Sequence, residues 1–290
     1  KMLAAIRRFF EARSVTEVTT PALSRSATFD AQLSSFEVSD KTNKLFLQTS
    51  PEYALKRALA VYGEALFEIT PVFRRGDQGR QHNPEFTMLE WYRPGFSVSD
   101  LMAEVVALLN ALPEPPEIWR AQSKRDVPVY SFRALFEQRF GVNPNEAALS
   151  SLWQWVQETG AEVGHLAPHD DDQFRSDCLD FLFLAVLQPS LDDIFFLTEF
   201  PRCQAALAEI DPGTGTAQRF ELYWLGTELA NGYLELRDPV AILSRHTAMA
   251  AARVNRGLPS IAFDSALAEA SALMPACTGV ALGIDRLVMV

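Results

Sequence analysis

The sequence predicts an α+β chain, on three observations. An apolar run rich in aromatic and β-branched residues, Phe67–Phe73, leads into the polar loop Arg74-Arg75-Gly76-Asp77-Gln78-Gly79-Arg80. A second apolar run follows at Phe86–Tyr92, and the pattern is that of an antiparallel hairpin. Arg219–Leu225 and Glu228–Leu236 repeat it around Gly226-Thr227. Segments of helical periodicity stand before, between and after these hairpins, at Lys1–Arg13, Ser97–Leu112 and Asp238–Arg256. The 290 residues permit one large domain or two small ones, and 48% apolar with 22% charged residues supports a substantial core.

In order, Lys1–Arg13 turns Leu3, Ile6, Phe9 and Phe10 to one side, as an amphipathic helix does. Val15–Pro21 reads as an edge strand closed by a proline that cannot donate to a ladder. Lys44–Thr49 is a short strand. A helix then starts with Ser50 as N-cap and Pro51 at its first position, running to Val61. Ser97 or Ser99 caps the next helix, which ends at Pro113–Pro116. Between 117 and 200, Phe132–Phe140, Leu149–Thr159 and Phe174–Leu187 are helical in spacing, and Ile194–Leu197 is a buried strand. Asp238-Pro239 caps the last long helix, Gly257 ends it, and Arg245, Arg253 and Arg256 mark a solvated face.

The net charge of −11 argues against broad non-specific binding to nucleic acid. Cys178, Cys203 and Cys277 are scattered, with no CxxC, as reduced thiols of a cytoplasmic protein would be. His165 and His169 stand at no metal spacing with them and read as surface loop. No apolar run has membrane-spanning length, the longest being Phe181–Leu187, and no signal peptide is expected.

Two stretches carry chemistry. The arginines of the first hairpin loop suit either a solvated tip or a polyphosphate, since a guanidinium offers fixed, bidentate donors. Glu221, Glu228 and Glu235 form an acidic group on the second hairpin. A spacing of seven puts Glu228 and Glu235 on opposite faces of a strand. A one-residue bulge, with Asn231-Gly232 as its expected place, restores them to one face. Such a face is either simply solvated or an oxygen-rich site for Mg²⁺ carrying nucleotide phosphates. Glu52 has two readings as well, one of them complementing the helix dipole in the first turn.

Arg74, then His82-Asn83-Pro84-Glu85-Phe86-Thr87, then Glu90-Trp91-Tyr92 resembles motif 2 of the class II aminoacyl-tRNA synthetases, most closely the lysyl branch. The helix before Glu17-Val18-Thr19-Thr20-Pro21 resembles motif 1. Thr278–Arg286, with glycines at 279 and 283, resembles motif 3. The three stand in family order and cover nearly the whole chain. The resemblance implies one class II catalytic domain over residues 1–290, an antiparallel sheet flanked by helices, with a less typical insertion around 113–192. It implies a homodimer through the motif 1 region. It implies ATP and Mg²⁺, with Arg74, Arg75, Gly76, His82, Asn83, Phe86, Glu228, Leu229, Gly283 and Arg286 around ATP, Arg74 and Arg286 as catalytic groups, and Glu221 and Glu228 holding the metal. Ser50, Pro51, Glu52, Glu90, Tyr92, Asn231, Glu235 and Ala281 would bind the amino acid.

Three departures narrow this. Gly76 stands where the lysyl branch has a motif 2 Glu, and offers no side chain to adenine. Ser50 and Ala281 replace an alanine and a glycine usual in lysyl synthetases, and one methyl in a tight pocket discriminates by roughly 1–3 kcal/mol. No anticodon-binding barrel precedes motif 1, although a trimmed chain would read the same. Ser50 and Ala281 are similar to the branch of lysyl-synthetase paralogues that modify a protein. The expectation is therefore an ATP-dependent ligase that activates (R)-β-lysine and passes it to a lysine of elongation factor P, with tRNA disfavoured as substrate. A lysyl-tRNA synthetase core and a non-catalytic paralogue serving as a binding subunit are the alternatives.

Overall fold

The computed structural model describes residues 1–28, 30, 33–39, 44–79, 82–113, 119, 126–161 and 171–289. Arg80, residues 114–116, His165 and His169, on which sequence expectations fall, lie outside the described residues.

Helix α1 (Met2–Glu11) buries Ala5, Ile6, Phe9 and Phe10. Phe10 stacks on Phe67 at 4.5 Å between ring centroids and leans on Trp91 at 5.3 Å. The following strand is shorter than expected, only Thr16–Glu17 (β1). Val18 still donates to the Phe67 carbonyl. The ladder stops there because the Thr20 N–H and hydroxyl donate instead to the buried Glu68 carboxylate, at 2.9 and 2.7 Å. Strands β2 (Leu23–Ser24), β3 (Glu37–Ser39) and β4 (Lys44–Leu47) form a separate small sheet in the order β2-β4-β3.

Helix α2 (Glu52–Tyr62) has Pro51, not Ser50, at its N-cap. The Ser50 hydroxyl nonetheless accepts the Glu52 N–H at 3.0 Å. Strands β5 (Leu66–Phe73) and β6 (Glu85–Pro94) make the expected hairpin, in register from Leu66↔Tyr92 to Phe73↔Glu85. Helix α3 (Val98–Ala111) starts in a capping box between Ser97 and Asp100.

Strand β7 (Val129–Ser131) leads into helices α4 (Phe132–Phe140), α5 (Leu149–Glu158) and α6 (Asp172–Leu182). The single helix expected to Leu187 instead widens to a π-helical turn over Phe183–Leu187. Strand β8 (Ile194–Phe200) is followed by β9 (Ala217–Trp224) and β10 (Thr227–Leu234). Their turn is Leu225-Gly226, one residue earlier than expected. Both residues have positive φ, 48° and 75°, the conformation a tight two-residue hairpin uses. Helices α7 (Pro239–Asn255) and α8 (Ser265–Leu273), strand β11 (Cys277–Gly283) and helix α9 (Ile284–Met289) complete the chain.

The large sheet runs β1-β5-β6-β11-β10-β9-β8-β7. Its six central strands are antiparallel, while β1 and β7 pair in parallel at the two ends. The expected antiparallel sheet is thus a mixed one. Helices α1 and α3 cover one face over Phe67, Trp91, Phe220 and Val280. The segment expected as an insertion builds a second core of Phe132, Phe136, Leu152, Leu179 and Phe195, tied to the sheet through β7 and β8.

The arginines of α7 do not form a solvated face. Arg253 is buried and donates to the carbonyls of Asp30, Leu33 and Pro259. Arg245 donates to Ala206 and Ala208, and Arg256 pairs with Asp177. They clamp the helix to neighbouring loops and, through Asp177, to α6, a role that helical periodicity does not reveal. Among the described residues no helix is long and apolar enough to cross a membrane.

Candidate active site

The sheet face opposite α1 and α3 carries the candidate site, and strand register places its side chains. On β11, Gly279 lies between Tyr92 of β6 and Tyr233 of β10, and Ala281 lies between Glu90 and Asn231. Asn231 in turn faces Glu221 on β9. The register of β9 and β10 shifts between Glu228 and Ala230, so the bulge sits at Leu229 rather than at Asn231-Gly232. It lies between Glu228 and Glu235 all the same. Leu229 turns into the core, and Glu228, Asn231, Tyr233 and Glu235 share one face. Gly232 serves close packing instead: a Cβ there would lie 2.7 Å from the Phe220 ring.

At the end where the resemblance expects the amino acid, Glu90 and Glu235 are buried to 3% and 1% exposure. Glu90 accepts the hydroxyls of Ser50 and Tyr92, each at 2.7 Å. Burial, and then the nearby Glu52, push Glu90 up to about 8. Burial also raises Glu235 to about 8, against the pull of Lys56. The Lys56 ammonium, 1% exposed, lies 2.6 Å from Glu235 and 2.7 Å from Glu52. Tyr233 donates its hydroxyl to Glu52. Gly279 makes this convergence possible: a Cβ would collide with Glu235 Oε1 and stand 2.5 Å from Tyr92 Cε1. Beside this end, a cavity of about 620 Å³ is bounded by Thr20, Gln48, Thr49, Ser50, Glu52 and Arg57. It meets the carboxylate pocket through Ser50 and Glu52 and reaches none of Arg74, His82, Phe86, Glu228 and Arg286.

At the other end, the motif 2 loop closes by a backbone bond from Arg74 to the Pro84 carbonyl and by the pair Gly79↔His82. The Arg74 guanidinium lies over Phe86 at 5.1 Å, and its Nε donates to the Thr49 carbonyl at 3.4 Å. Burial lowers its pKa, opposed by Glu228 and Asp77. Arg286 on α9 donates to the Glu228 carbonyl at 2.7 Å and meets the His82 ring at 3.0 Å. Neighbouring Asp285 accepts the Thr87 N–H at 2.7 Å, tying α9 to the loop strand.

The structure therefore brings Arg74, His82, Phe86, Glu228 and Arg286 together, and separately Ser50, Glu52, Glu90, Tyr92 and Glu235, with Asn231 and Ala281 between. Arg75 is exposed, and its charge bears on Glu37 of the small sheet instead. Gly76 is an exposed turn residue with φ of 93°, which explains a glycine where the lysyl branch has Glu. Asn83 is exposed, Pro51 caps a helix, and Leu229 offers only its backbone. Sequence reasoning missed Lys56, Tyr233 and Arg219. The signals were present: Lys56 is one helical turn from Glu52, and Tyr233 alternates with Asn231 and Glu235 along one strand.

Asn231 Nδ2 reaches Glu221 at 3.2 Å and Glu228 at 3.4 Å, so the two carboxylates converge. Glu221 also pairs with Arg219 and accepts the Tyr223 hydroxyl at 2.8 Å, and burial raises it to about 7. Among the described residues no group of three or more His, Cys, Asp or Glu side chains is placed to hold a metal ion. The donor set thus fits a Mg²⁺ that brings its remaining oxygens with a nucleotide, not a free-standing metal centre.

A mixed sheet with an antiparallel centre, presenting arginines at one end and an anionic pocket at the other, defines a catalytic domain of the class II synthetase type. The family model for tRNA synthetases class II (D, K and N) matches residues 1–290, and the chain belongs to that family. A protein of Mannheimia succiniciproducens is 39% identical over 301 residues, covering 100% of this chain and 88% of its own. One from Pseudoalteromonas translucida is 40% identical over 300 residues, covering 99% and 88%. One from Haemophilus influenzae is 38% identical, covering 100% and 88%. Each of these relatives is named elongation factor P–(R)-β-lysine ligase.

Proposed function

We propose that this chain activates (R)-β-lysine with ATP and transfers it to a lysine of elongation factor P. The observation that carries this is the buried pocket of Glu52, Glu90 and Glu235 at the end of the sheet, joined to an arginine-rich nucleotide end. Lys56 offsets part of this negative charge, and a ligand bearing ammonium groups would offset the rest once the carboxylates ionise. The names carried by the relatives match this chemistry.

In the first step a substrate carboxylate oxygen attacks the α-phosphorus of ATP. The bond to the β-phosphate oxygen breaks, and an acyl-adenylate and pyrophosphate form. Arg74 neutralises charge at the reacting phosphate and Arg286 does so at the γ-phosphate, with Phe86 and His82 steadying the two guanidiniums. Magnesium, held by Glu221 and Glu228 with the phosphates, would supply further charge neutralisation. In the second step the acceptor lysine amine attacks the acyl carbon and AMP leaves. No protein nucleophile is required. Ala281, in register between Glu90 and Asn231, narrows the pocket floor and favours the shifted amine of β-lysine over α-lysine. We place the enzyme in the cytoplasm as a homodimer through the motif 1 region.

ATP–pyrophosphate exchange with (R)-β-lysine and α-lysine side by side tests the reading. Preference for (R)-β-lysine, with label transfer from it to elongation factor P, is expected. Preference for α-lysine with charging of tRNA would replace the reading with a tRNA synthetase.

A further inference from the structure

Lys56 is the most deeply buried charged group of the amino-acid pocket that the reaction scheme leaves without a task. Its ammonium stands within one hydrogen-bond length of two carboxylates from different elements, Glu52 on α2 and Glu235 beyond β10. Burying a lysine this completely costs stability, and an apolar residue would fill the same space more cheaply. The contacts that offset the cost are all with the pocket: Glu52, Glu235, and the Tyr233 ring at 5.4 Å. Glu90 is different. Among the described residues its contacts are the hydroxyls of Ser50 and Tyr92, not a cation.

We infer that Lys56 is a positioning residue that fixes the spacing of Glu52 and Glu235 and, with the substrate bound, holds the pocket at two negative units, so that the pocket takes a diamino acid. Without a cation between them the two carboxylates would repel and separate. With all three carboxylates ionised, one internal ammonium leaves two charges for two substrate ammonium groups. The inference rests on the proposed diamino acid substrate.

The groups facing Lys56 are Glu52 from its own helix, Glu235 and Tyr233 from the β10 side, Glu90 from β6, and Cys277 from β11. Burial alone would lower the Lys56 pKa, but Glu235 and Glu52 raise it, so it stays charged. Its charge in turn lowers both Glu235 and Glu90. Removing it therefore moves their ionisation to higher pH, and with it the acid limb of substrate capture.

The test is ATP–pyrophosphate exchange between pH 6 and 9.5 by the wild type, Lys56→Met and Lys56→Arg, with thermal melting of each. Lys56→Met is expected to raise KM for (R)-β-lysine on the order of tenfold or more, with KM for ATP unchanged. It should also move the acid limb of kcat/KM upward by about one unit. Lys56→Arg keeps the charge and should leave the limb in place while raising KM through altered spacing. An acid limb that does not move in a folded Lys56→Met overturns the inference. If Lys56→Met does not melt cooperatively, Lys56→Arg decides: an upward-shifted limb there overturns the charge role. A wild type that prefers α-lysine sinks the functional reading alone, because α-lysine carries the same two ammonium groups and serves for the same comparison. A wild type active with neither lysine overturns both.

Discussion

Gly279→Ala is the sharpest test of how the amino-acid pocket is built. The added methyl would stand 2.5 Å from Tyr92 Cε1, where ordinary contact begins at 3.4 Å, and nearer still to Glu235 Oε1. Neither neighbour yields easily. Tyr92 is 2% exposed and bonded to Glu90, and Glu235 is 1% exposed and paired with Lys56. Relief requires moving one or both by close to an ångström. Displacement of that size at a substrate-positioning group costs roughly 10²-fold in activity, and overpacking costs about 1–3 kcal/mol of stability. The assay is ATP–pyrophosphate exchange with KM for amino acid and for ATP determined separately, beside a thermal melt. The loss should fall on the amino acid, with KM for ATP little changed. Gly232→Ala is the matched control: its methyl would strike the Phe220 ring and Val280, both core residues. It should lower the melting temperature without a comparable amino-acid defect. A Gly279→Ala enzyme with amino-acid KM within twofold of wild type would refute the geometry.

Other expectations are more direct. Arg286→Ala should reduce exchange by roughly 10²–10³-fold while leaving the melting temperature close to wild type, measured by the same exchange assay and by calorimetry. Ala281→Gly should shift the kcat/KM ratio toward α-lysine by roughly tenfold; an unchanged ratio would remove Ala281 from the specificity argument. Arg253→Met removes a buried guanidinium that bonds three carbonyls and should cost about 1–2 kcal/mol in denaturant unfolding.

The parts of the fold legible in the sequence were those set by local pattern. The β5–β6 hairpin, the Ser97 and Asp238 caps and the glycine stop at Gly257 depend on neighbours a few residues away. What stayed hidden depends on distant partners. The end of β1 is decided by Glu68, distant in sequence, which takes both donors of Thr20. Arg245, Arg253 and Arg256 look like surface charges until the loops and the α6 carboxylate they bind are in place. In the site, the sequence named carboxylates but not the cation among them, since an i,i+4 Glu–Lys pair ordinarily marks an exposed helix face. Only the approach of Glu235 reveals that Lys56 is buried. The need for one extra residue between Glu228 and Glu235 followed from strand parity, but its place did not. Gly232 is the obvious site for a bulge, and its absent side chain is taken up by Phe220 instead.

The raised carboxylates make one prediction that holds whichever lysine isomer is preferred. Glu90 and Glu235 titrate near 8 in the folded, ligand-free protein, against 4.5 for an ordinary glutamate. In the unfolded chain both are ionised by neutral pH, so the folded state binds more protons than the unfolded one between about 4.5 and 8. Their contribution to stability is fully present below 4.5 and declines as pH rises toward 8. A diamino acid reverses the preference, because its ammonium groups pair with the ionised carboxylates. Binding near pH 7 should therefore release protons, and the ligand should raise the melting temperature more at pH 8.5 than at pH 6. Titration calorimetry in two buffers of different ionisation enthalpy counts the protons directly. Equal heats in both buffers would mean that the carboxylates are already ionised without ligand, and that the pocket holds its charge by some means other than burial against Lys56.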